Sequence, residues 1–551
     1  MSFMFTLVLL LIQRVYSDSP IIETPWGLIR GIPADDGDYN MFLGIPYARV
    51  DPDNPFGAAK PFPKFTGVFE ANNGTTICPQ REEVSQEIRG TLDCLVLHIY
   101  VPDITKNKTP VLVFVHGGLH DFGDGGPDTY GPNYLVRHGI IVVSINYRLG
   151  PYGFMCLDIP EVSGNQGFKD QTMALRWIKE NIECFGGDSD KITLYGQSSG
   201  AVSVEFHLLS ENEKLYNQAI VQSGGTYVWN AAKSKNNTLP LLLASDLGFK
   251  TYDVYKALAY LKGIEVERVI ESATRLEMQS SGCIEKKFNG VEGFLYVDPV
   301  EDPVTIKTLP KTKNLPLLAG ITDAERLLYV IRGLTKNPLD YDPFKDLVRY
   351  VPQNKMSQAY DIVRRFYIGD APITIEVIDE LIDFDSDFKY TYPSEQSVMR
   401  FLKSEAKVYH FLFSYTGGRN QLKVRDNITI GGAAHSDDVG YVFETKRLRG
   451  KGSDVDFLVL DRMTKMWANF VKYGNPTPEI TDLLPITWPV ATSQKLHYLN
   501  IDKELSLGIR PFHNRFAFWD LFYLHYVNNA GVLNSINFIL LFVLGVLHCI
   551  V

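Results

Sequence analysis

The sequence predicts an α/β chain, with a large, mostly parallel central sheet, helices covering both faces, and helical insertions capping the sheet's carboxyl end. Three observations carry this expectation. Strand-like and helix-like stretches alternate along the chain, the pattern of the units that build parallel sheets. The turn Gly196-Gln197-Ser198-Ser199-Gly200 is Gly-x-Ser-x-Gly, set between a strand-forming and a helix-forming run. No repeat or low-complexity linker divides residues 18–527, so one domain is expected there.

The elements follow in chain order. Apolar, β-branched runs at 95–101, 111–116 and 140–147 read as strands. Residues 170–181 have helical spacing, with Met173, Ala174, Trp177 and Ile178 on one face. Next come the strand ending at Tyr195, the turn, and the helix-forming run 202–209. Runs 219–222, 315–319 and 406–415 supply further strands. Stretches 238–278 and 342–383 look helical and are expected to form the cap.

Composition narrows the function classes. At 45% hydrophobic and 21% charged over 551 residues, the chain is globular rather than disordered. A net charge of −10 leaves no basic footprint, so nucleic acid is not an expected partner. Six cysteines are too few for a disulfide scaffold at this length.

Both ends carry targeting signals. Residues 3–12 form a short apolar run, and Val15-Tyr16-Ser17 suits cleavage before Asp18, so 1–17 reads as a signal peptide despite lacking a basic start. Sequons at Asn73, Asn107, Asn236 and Asn427 are compatible with glycosylation in a secretory, extracellular setting. The tail 528–551 ends in an apolar run without a basic stop, preceded by Asn528, Asn529 and Ala530. That arrangement suits a glycolipid-anchor signal better than a retained membrane helix or a helix packed on the globule.

A serine hydroxyl needs a base to take its proton and an acid to orient that base, and an elbow of this kind expects them in the order Ser, acid, His. His435 stands in the small-residue loop 431–440 and is the favoured base. His410 lies in an apolar strand and reads as a core residue. Asp323 and Glu325 both follow the strand 315–319, and position alone does not separate them. An oxyanion hole needs backbone N–H donors. The run 111–118 is a strand ending in His116-Gly117-Gly118, which makes the amides of Gly118, Leu119 and Ser199 candidates.

With these residues in view, the chain resembles the type-B carboxylesterases, the cholinesterase-like branch of the α/β-hydrolase fold, and among them the secreted insect enzymes. The likeness runs through Phe42-Leu-Gly-Ile-Pro-Tyr-Ala48, Asp93-Cys-Leu95, Asn146-Tyr-Arg-Leu-Gly150, Gly164-Asn165 and Asp170-Gln171. It continues in Phe185-Gly-Gly-Asp188, the elbow, Gln222-Ser-Gly224 and Ala434-His435. It implies a serine carboxylesterase with the triad Ser198, Glu325 and His435, which selects Glu325 over Asp323. It also implies a supporting Ser223 near the acid, a disulfide between Cys78 and Cys94, an acyl-enzyme mechanism, and no metal or cofactor. Pairing among Cys156, Cys184 and Cys283 stays open.

The departures are specific. Ser199 replaces the usual Ala. Leu119 and His120 replace a small residue and an aromatic, which is expected to narrow the acyl side of the pocket. Leu92 replaces the acid that usually partners Arg148, so another acid is expected to serve it, since a buried charge without a partner is costly. Residues 79–93 contain no aromatic, which argues against a quaternary-ammonium site on that loop. The expected substrate is a hydrophobic small-molecule ester. The alternatives are a juvenile hormone esterase, whose pattern Gln197 and 432–438 resemble, and a non-catalytic adhesion relative, which usually lacks a triad member.

Overall fold

The structure is a computed structural model that describes residues 19–103, 108–228, 232–233, 236, 238–297, 310–336 and 338–527. The expected signal peptide 1–17, the sequon at Asn107 and the tail 528–551 with its anchor signal lie outside the described residues. Among the described residues no helix is long and apolar enough to cross a membrane.

The centre is an eleven-stranded sheet. In chain order its strands are β1 (Ile32–Pro33), β2 (Tyr39–Pro46), β3 (Val96–Pro102), β4 (Thr109–Val115), β5 (Ile141–Ile145) and β6 (Gly187–Gln197). They continue with β7 (Gln218–Gln222), β8 (Pro316–Thr322), β9 (Lys407–Phe413), β10 (His497–Ile501) and β11 (Ser506–Ile509). Across the sheet the order is β11-β10-β9-β8-β7-β6-β4-β5-β3-β2-β1. Neighbours from β5 to β10 run parallel, and antiparallel pairs finish both edges.

The parallel strands are apolar almost without alternation because helices cover both faces. In β4, the side chains from Val111 to Val115 are all fully buried. Helix α1 (Gln166–Asn181) turns Ala174, Trp177 and Ile178 into the core, as their spacing predicts. Helix α2 (Ser199–Leu209) follows the elbow and is buried along its whole length, consistent with its lack of a polar face.

The stretch expected to be helical at 238–278 holds α3 (Leu239–Asp246), α4 (Val254–Lys262) and α5 (Val266–Arg275), packed on Phe56, Tyr152 and Leu157. After β8 come α6 (Leu327–Lys336), α7 (Met356–Ile368) and α8 (Ile378–Ser386). One wide turn, Asp387–Thr391, joins α8 to α9 (Tyr392–Lys403). These helices share a core of their own around Leu327, Phe344, Phe384 and Trp519.

Two disulfides pin the loops. Cys78–Cys94 forms as the family resemblance implies, and Cys156–Cys283 settles the pairing left open. Cys184 is free and exposed just ahead of β6. The acid expected to replace the missing partner of Arg148 is Asp170. Arg148 Nε and Nη2 each donate to its carboxylate at 2.7 Å, and both side chains are fully buried. Arg148 Nη1 also donates to the carbonyls of Pro55 and Gly57, which holds their loop against α1.

Candidate active site

The elbow is built by close backbone approach. A Cβ at Gly196 would lie 2.1 Å from the Gly200 carbonyl oxygen, and one at Gly200 would lie 2.1 Å from that of Val115. Glycine is therefore obligatory where the helix turns back over the strand. Between them Ser198 takes φ 58° and ψ −127°, a strained conformation for a side-chain-bearing residue. It is held by its own N–H donating to the Gln222 carbonyl at 2.9 Å.

Two loops bring the other groups to this tip. The loop after β8 carries Asp323 and Glu325, and it is zipped to the loop at 433–435. The Ala324 N–H donates to the Ala433 carbonyl at 3.0 Å, and the His435 N–H to the Glu325 carbonyl at 3.3 Å. The side chains then form one relay. His435 Nε2 lies 2.8 Å from Ser198 Oγ, and its Nδ1 lies 2.6 Å from Glu325 Oε2. Glu325 is fully buried, and its Oε1 accepts the Thr322 N–H at 2.9 Å. An imidazole donating from Nδ1 to a carboxylate presents an acceptor at Nε2, as a base for a serine hydroxyl requires.

Asp323 goes elsewhere. Its Oδ1 accepts the Ala433 N–H at 2.6 Å, and burial pushes its carboxyl up to about 7. His410 is a core residue, with Nδ1 3.0 Å from the Ala319 carbonyl and its pKa lowered to about 4 by burial. The expectation for Ser223 needs correction. Its N–H donates to the Gly320 carbonyl at 2.8 Å, but its buried hydroxyl has no hydrogen-bond partner among the described residues, Glu325 included. The reason is local geometry, since φ 53° fixes Ser223 in the left-handed region and its side chain lines the cavity.

Facing the elbow, the loop after β4 turns through Gly118, Leu119 and His120 at φ 113°, 58° and 61°. The Gly118 carbonyl is turned away to accept from Asp121 and Phe122. The amides of Gly118, Leu119 and Ser199 have no protein acceptor among the described residues. The unusual Ser199 has a use here, because its Oγ accepts the His120 N–H at 3.3 Å. The His120 ring lies 2.9 Å from the Ser199 carbonyl and stacks on Phe154, the second unusual residue answering the first.

Other contacts escape a reading of the sequence. Gln197 Nε2 donates to Ser436 Oγ at 2.7 Å and fastens the elbow to the His435 loop. Asp437 accepts from the Ala434, Leu422 and Lys423 amides and braces the same loop. Tyr390, from the wide turn after α8, packs 4.8 Å from the imidazole. Gln197 carried a signal in sequence as part of the elbow, and Ser436 and Asp437 lie in the run 432–438 beside the base; Tyr390 comes from a segment with no motif.

Above Ser198 lies a cavity of about 200 Å³. Leu119, Val202, Val228, Tyr329 and Tyr390 give it an apolar wall, and Gln279, Ser280, Arg326 and Lys389 add polar groups to that lining. Neither helical stretch expected to form the cap, 238–278 or 342–383, contributes a lining residue itself; the lining comes from residues just past their ends, Gln279 and Ser280, and Lys389 and Tyr390, and residues 79–93 contribute none.

The sheet order, the strand–elbow–helix unit and the converging loops define an α/β-hydrolase. The chain belongs to the carboxylesterase family, whose model matches residues 18–519, and it is a carboxylic ester hydrolase. It is 30% identical over 512 residues to a juvenile hormone esterase of Heliothis virescens, covering 87% of this chain and 89% of the relative. It is 30% identical to esterase FE4 of Myzus persicae, covering 86% of this chain and 87% of that one. The crystal structure of juvenile hormone esterase from Manduca sexta, with OTFP covalently attached, superposes with a TM-score of 0.80. That match is at 27% identity and covers 92% of this chain and all of that one.

Proposed function

We propose that Ser198 is the nucleophile, His435 the general base and Glu325 the orienting acid in hydrolysis of hydrophobic carboxylic esters. The observation that carries this reading is the unbroken relay Glu325–His435–Ser198, with both links under 3 Å. Ser198 Oγ attacks the ester carbonyl as His435 takes its proton, and the buried Glu325 stabilises the imidazolium that results. The amides of Gly118, Leu119 and Ser199 receive the tetrahedral oxyanion. His435 returns the proton to the departing alcohol, and water repeats the sequence on the acyl-enzyme. No step calls for a metal or cofactor.

The apolar cavity wall supports a hydrocarbon-rich ester. A narrower reading, a juvenile hormone ester, is favoured by juvenile hormone esterases of Heliothis virescens and Tribolium castaneum among the sequence relatives and by the Manduca sexta structure. Two disulfides and exposed sequons at Asn73, Asn236 and Asn427 support a secretory route. The test is the chain ending at Tyr526, as wild type and Ser198→Ala, given a fluorophosphonate probe and short naphthyl esters. Labelling and turnover by the wild type alone are the expected result. A folded wild type that does neither returns the chain to the non-catalytic reading.

A further inference from the structure

Arg326 follows Glu325 directly and lines the cavity over Ser198. A guanidinium carries five N–H donors, and among the described residues only one has a protein acceptor, Nε to Asp385 Oδ2 at 2.8 Å. The plane lies over the Tyr329 ring at 3.6 Å, and the Arg326 N–H donates to Ser386 Oγ at 3.0 Å, so the residue is anchored from two sides. The Nη1 and Nη2 groups have no protein acceptor among the described residues, yet neither is sealed off from solvent. Because the residue lines the cavity, these donors open into it. Lys389, on the same wall, differs, since Asp346 and Asp385 already hold its ammonium at 2.6 and 2.7 Å.

Donors that water reaches but no described protein group accepts from are free to bind an oxygen that enters the cavity and displaces that water. The geometry points to Arg326 as a specificity-determining residue that binds a second oxygen on the ester substrate, away from the scissile carbonyl. Leu119, Val202, Val228, Tyr329 and Tyr390 make the rest of the cavity wall apolar, so this oxygen belongs on an otherwise hydrocarbon arm. Asp385 already supplies the counter-charge to the guanidinium, and Asp121 lines the same cavity. The preferred acceptor is therefore neutral, a carbonyl, ether or hydroxyl oxygen rather than a carboxylate. This rests on the reading of Ser198 as the nucleophile and adds the substrate class to it.

The test compares matched esters. In the acyl arm these are p-nitrophenyl hexanoate, its 5-oxo analogue and the p-nitrophenyl monoester of adipic acid. In the alcohol arm they are hexyl and 5-oxohexyl butyrate. In at least one arm the wild type should favour the oxo ester in kcat/KM by about tenfold, the usual worth of a hydrogen bond to a charged donor. Arg326→Met should bring that ratio close to one. Arg326→Lys, which keeps the charge beside Asp385 but not the fork, should melt like the wild type and lose most of the preference. Dissociation constants measured in Ser198→Ala, with and without Arg326→Met, should show the same discrimination without turnover. Failure of Ser198→Ala to abolish hydrolysis would sink the nucleophile assignment while the binding ratio still reports on Arg326. Equal ratios in wild type and Arg326→Met overturn the proposal, and so does a carboxylate ester favoured over the ketone.

Discussion

Replacing Glu325 by Gln is a change of one heavy atom with a consequence that the surrounding hydrogen bonds dictate. Oε1 accepts the Thr322 N–H at 2.9 Å, so the amide must keep its oxygen there. Its NH₂ then faces His435 Nδ1, where Oε2 stood at 2.6 Å. Nδ1 must accept, the imidazole proton moves to Nε2, and the nitrogen 2.8 Å from Ser198 Oγ becomes a donor that cannot take the serine proton. Inverting the tautomer of such a base costs about 10⁴ in kcat, or ~5.4 kcal/mol of transition-state stabilisation. The control is the same chemical change two residues away. In Asp323→Asn the amide oxygen can still accept the Ala433 N–H, and with its carboxyl pushed up to about 7 the wild-type group is already about half protonated at neutral pH. That variant should keep kcat within about twofold. Steady-state hydrolysis of 1-naphthyl butyrate, with active sites counted by fluorophosphonate titration, measures both. The assignment of Glu325 is refuted if Glu325→Gln keeps more than a tenth of wild-type kcat, or if Asp323→Asn falls as far.

Three other outcomes are expected. Asp170→Asn leaves the fully buried Arg148 with half a partner, at a cost of about 3–5 kcal/mol. For a chain of 551 residues this lowers Tm by about 3–4 °C, read by calorimetry at one fixed scan rate; a shift under 1 °C would contradict it. Asp438 is buried, and desolvation followed by the charge of Glu325 raises its carboxyl to about 8. A raised carboxyl stabilises the fold most below its unfolded value near 3.9 and loses that contribution as pH climbs to about 8, at ~1.4 kcal/mol per unit. The stability of wild type relative to Asp438→Asn should therefore fall between about pH 5 and 8 and level off above, as chemical denaturation at a series of pH values would show. Leu119→Gly keeps the oxyanion N–H, removes a side chain from the cavity wall and relieves a left-handed φ of 58°. Branched acyl esters should gain kcat/KM relative to acetate, and an unchanged ratio would show that Leu119 does not limit the acyl group.

Much of this architecture was written locally. The strands of a sheet covered on both sides are apolar runs, and β4, β6 and β8 can each be read from a handful of adjacent residues. The elbow is legible for the same reason, because Gly196 and Gly200 answer a steric demand within five residues of each other. The acid was not. Asp323 and Glu325 share a loop, and what separates them is that one reaches the His435 ring while the other reaches the Ala433 N–H, a distinction made by chain about 110 residues away. Arg326 and Tyr390 were missed on similar grounds, since no local pattern tells which of many surface-like segments will close over a cavity. Arg148 shows the reverse case. Buried charge needs a counter-charge wherever it comes from, so the loss of an acid at position 92 forecast a substitute, and Asp170 is that substitute.

The free thiol of Cys184 makes the central sheet a ruler. It lies just before β6, and Ser198 lies just after it, with eleven strand residues between. The strand bulges between Gly187 and Ile192 and so spans only about seven residues of β4; at about 3.3 Å per residue, its two ends stand roughly 25 Å apart. A donor dye on Cys184 and a fluorophosphonate-borne acceptor on Ser198 would then sit within energy-transfer range along a path fixed by hydrogen bonds. Partial burial raises the thiol, so coupling belongs at mildly alkaline pH. Loss of transfer would report the opening of the sheet itself, while the loops around the nucleophile stay free of any label but the inhibitor.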